Sequence, residues 1–175
     1  MNRAELIRRL KEAAYLEGEF TLRSGRKSRY YFDKYRFETE PALLRAVAEQ
    51  LSLMLPADTD RLAGAELGGV PLAAAVALET GLPYVIVRKE SKGYGTANRI
   101  EGILPTGEDV VLLEDVVTTG GAALKAAQAL QEAGAGQVET LVVLDRQEGA
   151  AEAFEEAEVP YRALFTASEM GFAGA

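Results

Sequence analysis

The sequence predicts an α/β fold in which a mostly parallel central sheet is flanked by helices. Two observations lead to this class. Val110 to Leu113 are four consecutive aliphatic residues, which is typical of a strand buried on both faces of a parallel sheet. A loop and a helical segment over Ala122 to Ala133 follow, so this stretch forms a strand–loop–helix unit. A second such unit precedes it, with a strand at Arg61 to Ala65 and a helix at Leu72 to Thr80.

The loop between strand and helix predicts an anion site. Glu114 and Asp115 follow the strand, and Thr118 to Gly121 read Thr-Thr-Gly-Gly before the helix begins. Backbone N–H groups and the positive end of the helix dipole favour a phosphate there, and the glycines allow it to come close. The two acids would accept hydrogen bonds from sugar hydroxyls or help to hold Mg²⁺. The segment is more typical of a site for phosphate and a polyol than of a solvated turn.

Composition excludes several kinds of chemistry and partner. The chain has 175 residues, which predicts one domain, and contains neither cysteine nor histidine. Acid–base or metal chemistry must therefore use Asp, Glu, Lys, Arg, Tyr or the substrate. The net charge of −8 argues against general binding to nucleic acid or anionic membranes. The first residues contain no apolar segment suited to a signal peptide or a membrane span, so we expect a cytoplasmic protein.

The N-terminal part predicts a helix and a polar hairpin. Apolar residues at helical spacing indicate a helix over Ala4 to Tyr15, ended by Gly18. Phe20 to Asp33 contains β-formers, a basic turn and an aromatic strand. The four cations between Arg23 and Arg29 suit either an anionic partner or a solvated hairpin tip. A helix then begins at Pro41.

The first strand–helix unit contains a second candidate phosphate turn. Glu66 to Pro71 follow the strand, and Gly68 and Gly69 allow a tight turn with exposed backbone amides that suits a pyrophosphate. Gly-Gly turns are common, so the signal is weak by itself. The next strand is predicted at Pro83 to Val87.

Arg88 to Gly102 predicts a mobile loop, because it contains four cations, two internal glycines and no apolar periodicity. Its four cations against Glu90 and Glu101 leave +2 in a chain whose total is −8. These residues alone are compatible with an ordinary surface loop as well as with an anion-binding one.

The C-terminal part completes the predicted sheet. Val138 to Leu144 is an aliphatic strand, and Arg146 follows it at the edge where α/β sheets bind ligands. A salt-bridged strand end is the alternative interpretation of Arg146. A helix at Ala150 to Ala157 and a strand at Tyr161 to Phe165 are expected next, and then a short terminal helix from Thr166 that frays at Gly171.

Four segments of the chain, at 20–33, 88–102, 110–122 and 145–149, resemble motifs of a known family in their expected order along the sequence. Residues 110–122 resemble the phosphoribosyl-pyrophosphate (PRPP) motif of type I phosphoribosyltransferases. The segments 20–33, 88–102 and 145–149 resemble the hood, the catalytic loop and the base-binding turn of orotate phosphoribosyltransferases. The resemblance implies the type I phosphoribosyltransferase fold, with a small N-terminal hood mainly in residues 1–40 and a PRPP-binding core at about 41–165, within a single domain 1–175.

The resemblance also implies a reaction and roles for individual residues. Orotate and PRPP would give orotidine 5′-monophosphate and pyrophosphate, with Mg²⁺ held through PRPP and Asp115 as a candidate ligand. The implied catalytic residues are Lys92, Asp115 and Glu114. The implied PRPP-binding residues are Arg88, Lys89, Lys92, Tyr94, Glu114, Asp115, Val116, Val117, Thr118, Thr119, Gly120, Gly121 and Ala122. The implied orotate-binding residues are Lys27, Thr118 and Arg146.

The resemblance further implies a homodimer in which the 88–99 loop closes over the partner's site. Two positions depart from the family. Tyr94 stands where most members have histidine, and Gly68 stands where members often have lysine. Lys92 is retained as the leading catalytic cation, and a diphosphate contact near Gly68 would rest on backbone groups.

Two other functions fit part of the sequence. A phosphoribosyltransferase for a purine base would share residues 110–122, but we would not expect it to share the basic hood or the Lys92 loop. A non-catalytic, PRPP-sensing regulator that binds nucleic acid would need a DNA-binding appendage or a basic face. With 175 residues and a net charge of −8, we do not expect this chain to contain such a domain.

Overall fold

The computed structural model describes residues 1–21, 25, 27–89 and 99–172, except for the side chain of Ser28. The described helices are α1 (Arg3–Ala14), α2 (Tyr35–Glu38), α3 (Pro41–Ser52), α4 (Gly69–Thr80), α5 (Gly121–Glu132) and α6 (Ala150–Glu156). The described strands are β1 (Tyr15–Thr21), β2 (Lys27–Phe32), β3 (Arg61–Ala65), β4 (Tyr84–Val87), β5 (Ile100–Glu101), β6 (Val110–Val117), β7 (Val138–Asp145) and β8 (Tyr161–Thr166).

The central sheet has the order β5-β4-β3-β6-β7-β8. All neighbouring strands are parallel except β5, which runs antiparallel to β4 at the edge. The predicted mostly parallel α/β sheet is therefore confirmed. After β3 the chain forms β4 on one side and then crosses to form β6 on the other side. This reversal between β3 and β6 is the kind of position at which open α/β sheets bind ligands, beyond the carboxyl ends of the strands.

Strand β6 is buried on both faces, as its aliphatic run predicts. Val111 and Leu113 pack in the apolar layer beneath α1, α3 and α4. Val110 and Leu112 pack in the opposite layer beneath α5 and α6. Alternate residues of one strand thus serve two cores, because successive side chains of a strand point to opposite faces.

Strand β6 is longer than the sequence predicts. It continues through Val117, which pairs with Asp145 of β7, so Glu114 and Asp115 lie within the strand and do not follow it. The β-branched residues Val116 and Val117 carry the strand past the two acids. Two elements were not predicted: the short helix α2 and the edge strand β5.

The hood consists of α1 and the antiparallel hairpin β1–β2. The C-terminal tail packs against it, because the ring of Phe172 stacks on Tyr15 with centroids 4.9 Å apart. The predicted terminal helix fraying at Gly171 is wrong. The segment from 167 to 171 forms hydrogen-bonded turns, and burial of Met170 and Phe172 holds it in place. Among the described residues, no helix is long and apolar enough to cross a membrane.

Candidate active site

A cavity of about 260 Å³ lies at the carboxyl ends of β3 and β6, where the strand order reverses. It therefore occupies the edge of the sheet that the topology favours for ligands. Its described lining comes from the β6–α5 connection, the turn after β3 and the start of α2. The lining residues are Lys34, Tyr35, Glu66, Leu67, Lys89, Glu114, Asp115, Val116, Val117, Thr118, Thr119, Gly120, Gly121, Ala122 and Ala123.

The structure brings the predicted phosphate loop together as one wall of this cavity. Strand β6 ends at Val117 and α5 begins at Gly121, so Thr118 and Thr119 are exposed between them. Gly120 has a φ of 77°, and a Cβ at this position would lie 3.1 Å from the ring of Phe154. A glycine is therefore required both by the backbone conformation and by the packing. The loop presents the N-terminus of a 12-residue helix to the cavity, which suits an anion.

Asp115 is the deepest polar group of the site. It is completely buried, and its Oδ1 accepts a hydrogen bond of 2.5 Å from the N–H of Val116. Its Oδ2 lies 2.5 Å from the Nζ of Lys34, which the sequence did not indicate. Burial is the largest single effect and lowers the pKa of Lys34. The charge of Asp115, its hydrogen bond and the nearby charge of Glu114 together outweigh burial and leave the pKa raised, so Lys34 stays an ammonium.

Two further carboxyl groups surround Asp115. Glu114 precedes it in β6 and accepts a hydrogen bond of 3.3 Å from the Asp115 N–H. Glu38, at the end of α2, is only 4% exposed. Burial first, and the charge of Asp115 second, raises the pKa of Glu38 and of Glu114 to about 8. Three acids and one lysine therefore share this corner, and Asp115 and Lys34 form its charged pair.

The turn after β3 comes into contact with the same corner. A Cβ on Gly68 would lie 1.5 Å from Oδ2 of Asp115 and 2.9 Å from Oε1 of Glu38. No side chain fits at this position unless Asp115 moves. Family members often have a lysine at this position. This chain has glycine, and the position of Asp115 leaves no space for a lysine side chain. Gly68 and Gly69 do not belong to the cavity lining, although Glu66 and Leu67 do.

The two ends of the predicted catalytic loop are held together beside the cavity. The N–H of Arg88 donates to the carbonyl of Arg99 at 2.8 Å. The N–H of Lys89 donates to Glu66 at 3.0 Å, and Lys89 lines the cavity. The side chain of Arg88 instead lies 3.8 Å from Glu101. Lys92 and Tyr94 lie outside the described residues.

Arg146 lies outside this cavity, where β7 ends beside the hood. Its backbone N–H donates to the carbonyl of Val117 at 3.0 Å, which places it next to the end of β6. Its side chain is only 7% exposed, and its Nε lies 3.1 Å from Glu148. Its Nη2 donates to the hydroxyl of Tyr30 at 3.3 Å, and its Cζ lies 5.1 Å from the centre of that ring. The salt bridge that the alternative interpretation of Arg146 expected is therefore present, between Arg146 and Glu148. Arg146 also contacts the hood through Tyr30.

Lys27 is exposed at the start of β2 and does not line the described cavity. The structure therefore does not bring Lys27 together with the phosphate loop. Sequence reasoning missed Lys34, Glu38 and Tyr30, whose roles follow from packing between the hood and the core. Tyr30 lies within the aromatic strand β2, and Lys34 and Glu38 lie in the polar run after it, where no periodic or spaced signal distinguishes them.

A magnesium ion would find one suitable carboxylate here. Among the described residues, no group of three or more acidic or histidine side chains is placed to hold a metal ion by itself. Mg²⁺ is commonly held by one or two carboxylates together with substrate phosphates. Asp115 fits such a role, because its Oδ2 already accommodates a positive charge, that of Lys34.

Comparisons with known proteins agree with this geometry. The phosphoribosyl transferase domain family matches residues 36–158. An orotate phosphoribosyltransferase of Methanocella arvoryzae is 47% identical over 167 residues, which cover 95% of both chains. One of Halobacterium salinarum is 51% identical over 167 residues, again 95% of both.

Solved structures agree as well. The Mycobacterium tuberculosis orotate phosphoribosyltransferase in complex with PRPP gives a TM-score of 0.80 at 32% identity, and the match covers 97% of this chain and 98% of that one. The chain therefore belongs to the phosphoribosyl transferase domain family and, within it, to the orotate phosphoribosyltransferases.

Proposed function

We propose that this chain transfers the 5-phosphoribosyl group of PRPP to orotate in pyrimidine biosynthesis. The products are orotidine 5′-monophosphate and pyrophosphate. The observation that carries the proposal is the cavity at the strand-order reversal, where the acid pair of β6 and the phosphate loop before α5 form one wall. Similarity to orotate phosphoribosyltransferases over 95% of the chain supports orotate as the acceptor.

The reaction needs no nucleophile from the protein. A ring nitrogen of orotate attacks the anomeric carbon of PRPP, and the bond from that carbon to the diphosphate oxygen breaks. Positive charge develops on the ribose as the diphosphate leaves, so catalysis depends on positioning and charge stabilisation. Asp115 and Glu114 would accept hydrogen bonds from the ribose hydroxyls, and Asp115 would stabilise the cationic sugar. Residues 118–122 would hold the 5′-phosphate at the N-terminus of α5.

We propose Mg²⁺ as the cofactor of this reaction. It would be held mainly by oxygen atoms of PRPP, with Asp115 as the protein ligand, and it would neutralise charge on the leaving diphosphate. Lys89 lines the cavity and would add a cation from the chain itself. Arg88 would have to leave Glu101 to do the same.

Orotate would bind where the hood meets the sheet. The guanidinium of Arg146 suits its carboxylate, because an Arg–carboxylate pair can form two parallel hydrogen bonds. Thr118 lies at the neighbouring end of β6 and would donate to the base. Lys27 would reach orotate from the hood hairpin.

We propose that the active protein is a homodimer. Lys92 would act on the PRPP bound by the partner subunit, in a loop whose ends, Arg88 and Arg99, are joined beside the cavity by a backbone hydrogen bond of 2.8 Å. The cytoplasmic location expected from the sequence stays a prediction.

The test of the proposal is the loss of orotate absorbance when the protein is mixed with PRPP and Mg²⁺. Uracil, adenine, guanine and hypoxanthine serve as matched acceptors under the same conditions. We expect turnover with orotate and, for the other bases, rates lower by at least about a hundredfold, since a site with buried polar partners for a substrate group discriminates strongly against analogues lacking it. Turnover of a purine base with none of orotate would overturn the assignment.

A further inference from the structure

We propose that Lys34 is a diphosphate-binding residue. Its ammonium group pairs with Asp115 until the substrate binds and then pairs with the diphosphate of PRPP. The inference rests on the proposed function, because PRPP is the ligand. Lys34 is the N-cap residue of α2, at the border between the hood and the core. It lies outside the loop and strand motifs that the sequence indicates.

The position of Lys34 fits this role. Its Nζ lies 2.5 Å from Oδ2 of Asp115 and 5.3 Å from the ring centre of Tyr35, and all three residues line the cavity. The side chain is 29% exposed, whereas that of Asp115 is 1% exposed. The ammonium thus covers the buried carboxylate and faces the space in which a ligand would sit.

The charges of the cavity call for such a cation. Its described lining contains the acids Glu66 and Asp115, besides Glu114, whose raised pKa of about 8 favours the neutral form, and its only described cations are Lys34 and Lys89. A diphosphate brought into this lining would meet repulsion unless cations face it. Position 68 cannot supply a cationic side chain, because a Cβ on Gly68 would collide with Asp115. Only backbone amides are available there.

An exchange of partners follows. When ribose hydroxyls or Mg²⁺ take the Oδ2 of Asp115, the Lys34 ammonium loses its partner. Its flexible four-carbon stem lets it turn to the diphosphate in the same cavity. The Oδ2 of Asp115 thus has a partner before and after binding: Mg²⁺ would compensate its charge, and ribose hydroxyls would donate hydrogen bonds to it.

The experiment compares two ligands that differ in the diphosphate. Calorimetry with Mg²⁺ gives the Kd of PRPP and of orotidine 5′-monophosphate, which keeps the ribose and the 5′-phosphate but has no diphosphate. For Lys34→Gln we expect the Kd of PRPP to rise by about tenfold to a hundredfold, the usual effect of losing a hydrogen bond to a charged group. The Kd of orotidine 5′-monophosphate should change by less than about threefold, because this ligand has no diphosphate for Lys34 to contact and its ribose and 5′-phosphate keep their other partners.

Asp115→Asn provides a second background, in which removal of Lys34 no longer leaves the carboxylate of Asp115 buried without its partner. Adding Lys34→Gln to Asp115→Asn should again raise the Kd of PRPP about tenfold. Arg36→Gln is the matched control, since this exposed cation of α2 pairs with Asp33 at 3.4 Å and does not line the cavity. It should leave both Kd values within about threefold of the wild type.

Two results would overturn the inference. Equal rises for both ligands in Lys34→Gln would mean that Lys34 acts only by orienting Asp115, and so would the absence of any further effect in the Asp115→Asn background. Lys34→Arg keeps the charge and should recover most of the PRPP affinity. Failure of the wild type to convert orotate would count against the proposed function instead, and it is measured separately before the variants are compared.

Discussion

The guanidinium of Arg146 lies 5.1 Å from the centre of the Tyr30 ring, so the end of core strand β7 and the hood hairpin meet at a predicted orotate-binding residue. Tyr30 is itself 5% exposed and stacks on Tyr15 with centroids 5.5 Å apart. The ring of Phe172 lies 5.4 Å away from that of Tyr30. A cluster of hood and tail rings therefore supports the position of Arg146, in addition to its ion pair with Glu148.

Tyr30 should consequently affect orotate binding. In Tyr30→Leu the ring beneath the guanidinium is lost, and we expect the KM for orotate to rise about tenfold, since a desolvated cation–π contact contributes up to about 2 kcal/mol. Tyr30→Phe keeps the ring and loses only the hydroxyl, so its effect should be about threefold or less. Initial rates at varied orotate and varied PRPP give both KM values. A KM for PRPP that rises as much as that for orotate would contradict a role specific to orotate.

Lys27 offers an independent check on the orotate site. It is exposed at the start of β2, and the proposal has it contact the anionic base from the hood hairpin. Lys27→Ala should raise the KM for orotate by about tenfold or more, the loss of one charge-assisted contact, with a much smaller change for PRPP. Arg8→Ala is the control, because Arg8 is an exposed hood cation paired with Glu12 at 2.6 Å. Equal rises in the two KM values would remove Lys27 from the orotate site.

Glu38 should make the stability of the unliganded protein depend on pH. Burial and the charge of Asp115 raise its pKa from 4.5 to about 8, so between these values the folded state holds a proton that the unfolded state has lost. Stability that is fully present below about pH 4.5 is then lost as the pH rises toward 8, by at most about 1.4 kcal/mol per pH unit for one group.

Glu38→Gln removes this titration and keeps the shape of the side chain. Urea unfolding at pH 5, 6, 7 and 8 without Mg²⁺ should show a smaller fall in the free energy of unfolding for the variant than for the wild type. Some slope should remain, because the pKa of Glu114 is raised in the same direction. Identical slopes for the two proteins would show that Glu38 is ionised in the folded state.

Much of the sheet could be predicted because its signal is local. Strand β3 was predicted with its observed bounds, Arg61–Ala65, and the bounds of β7 and β8 differ by one residue. The aliphatic run of β7 is such a local signal, and short apolar segments next to turn residues indicate β3 and β8. The acids of β6 were expected after the strand, because two carboxylates interrupt its aliphatic run. The β-branched residues Val116 and Val117 and the pairing with β7 continue the strand through Val117.

The rest of the site depends on contacts between distant segments. Lys34 meets Asp115, and Tyr30 meets Arg146, only after the hood has packed on the core. Turns at 167–171, expected as a fraying helix, are held by burial of Phe172 among hood rings. The motif residues of the phosphate loop could be recognised, whereas the residues that pair with them could not.

Asp115→Asn should lower kcat by about a hundredfold to a thousandfold, the range found when one electrostatic partner of a transition state is removed. The substitution keeps size and hydrogen bonding, so the protein should still fold, as circular dichroism would show. If kcat stays within about twofold, the charge contributes less than ~0.4 kcal/mol to the transition state, and the electrostatic role of Asp115 is wrong.

The sharpest prediction concerns the shared site of the proposed dimer. Each complete site would combine Asp115 of one protomer with Lys92 of the other. Asp115→Asn and Lys92→Ala should each be inactive, and the two variants are then allowed to exchange subunits. In a mixed dimer one site receives both substitutions and the other receives neither. With random pairing about half of the dimers are mixed, so roughly a quarter of the wild-type activity should return.

A loop that acts within its own protomer gives the opposite result. Every site of a mixed dimer would then carry one substitution, and mixing would restore no activity. Mass spectrometry of differently tagged chains establishes separately that exchange has reached equilibrium. Mixing Asp115→Asn with a tagged copy of itself is the matched control and should remain inactive under either arrangement. If exchange is complete and the mixture of the two variants also remains inactive, Lys92 does not complete the partner's site, and the 88–99 loop must serve its own protomer or no site at all.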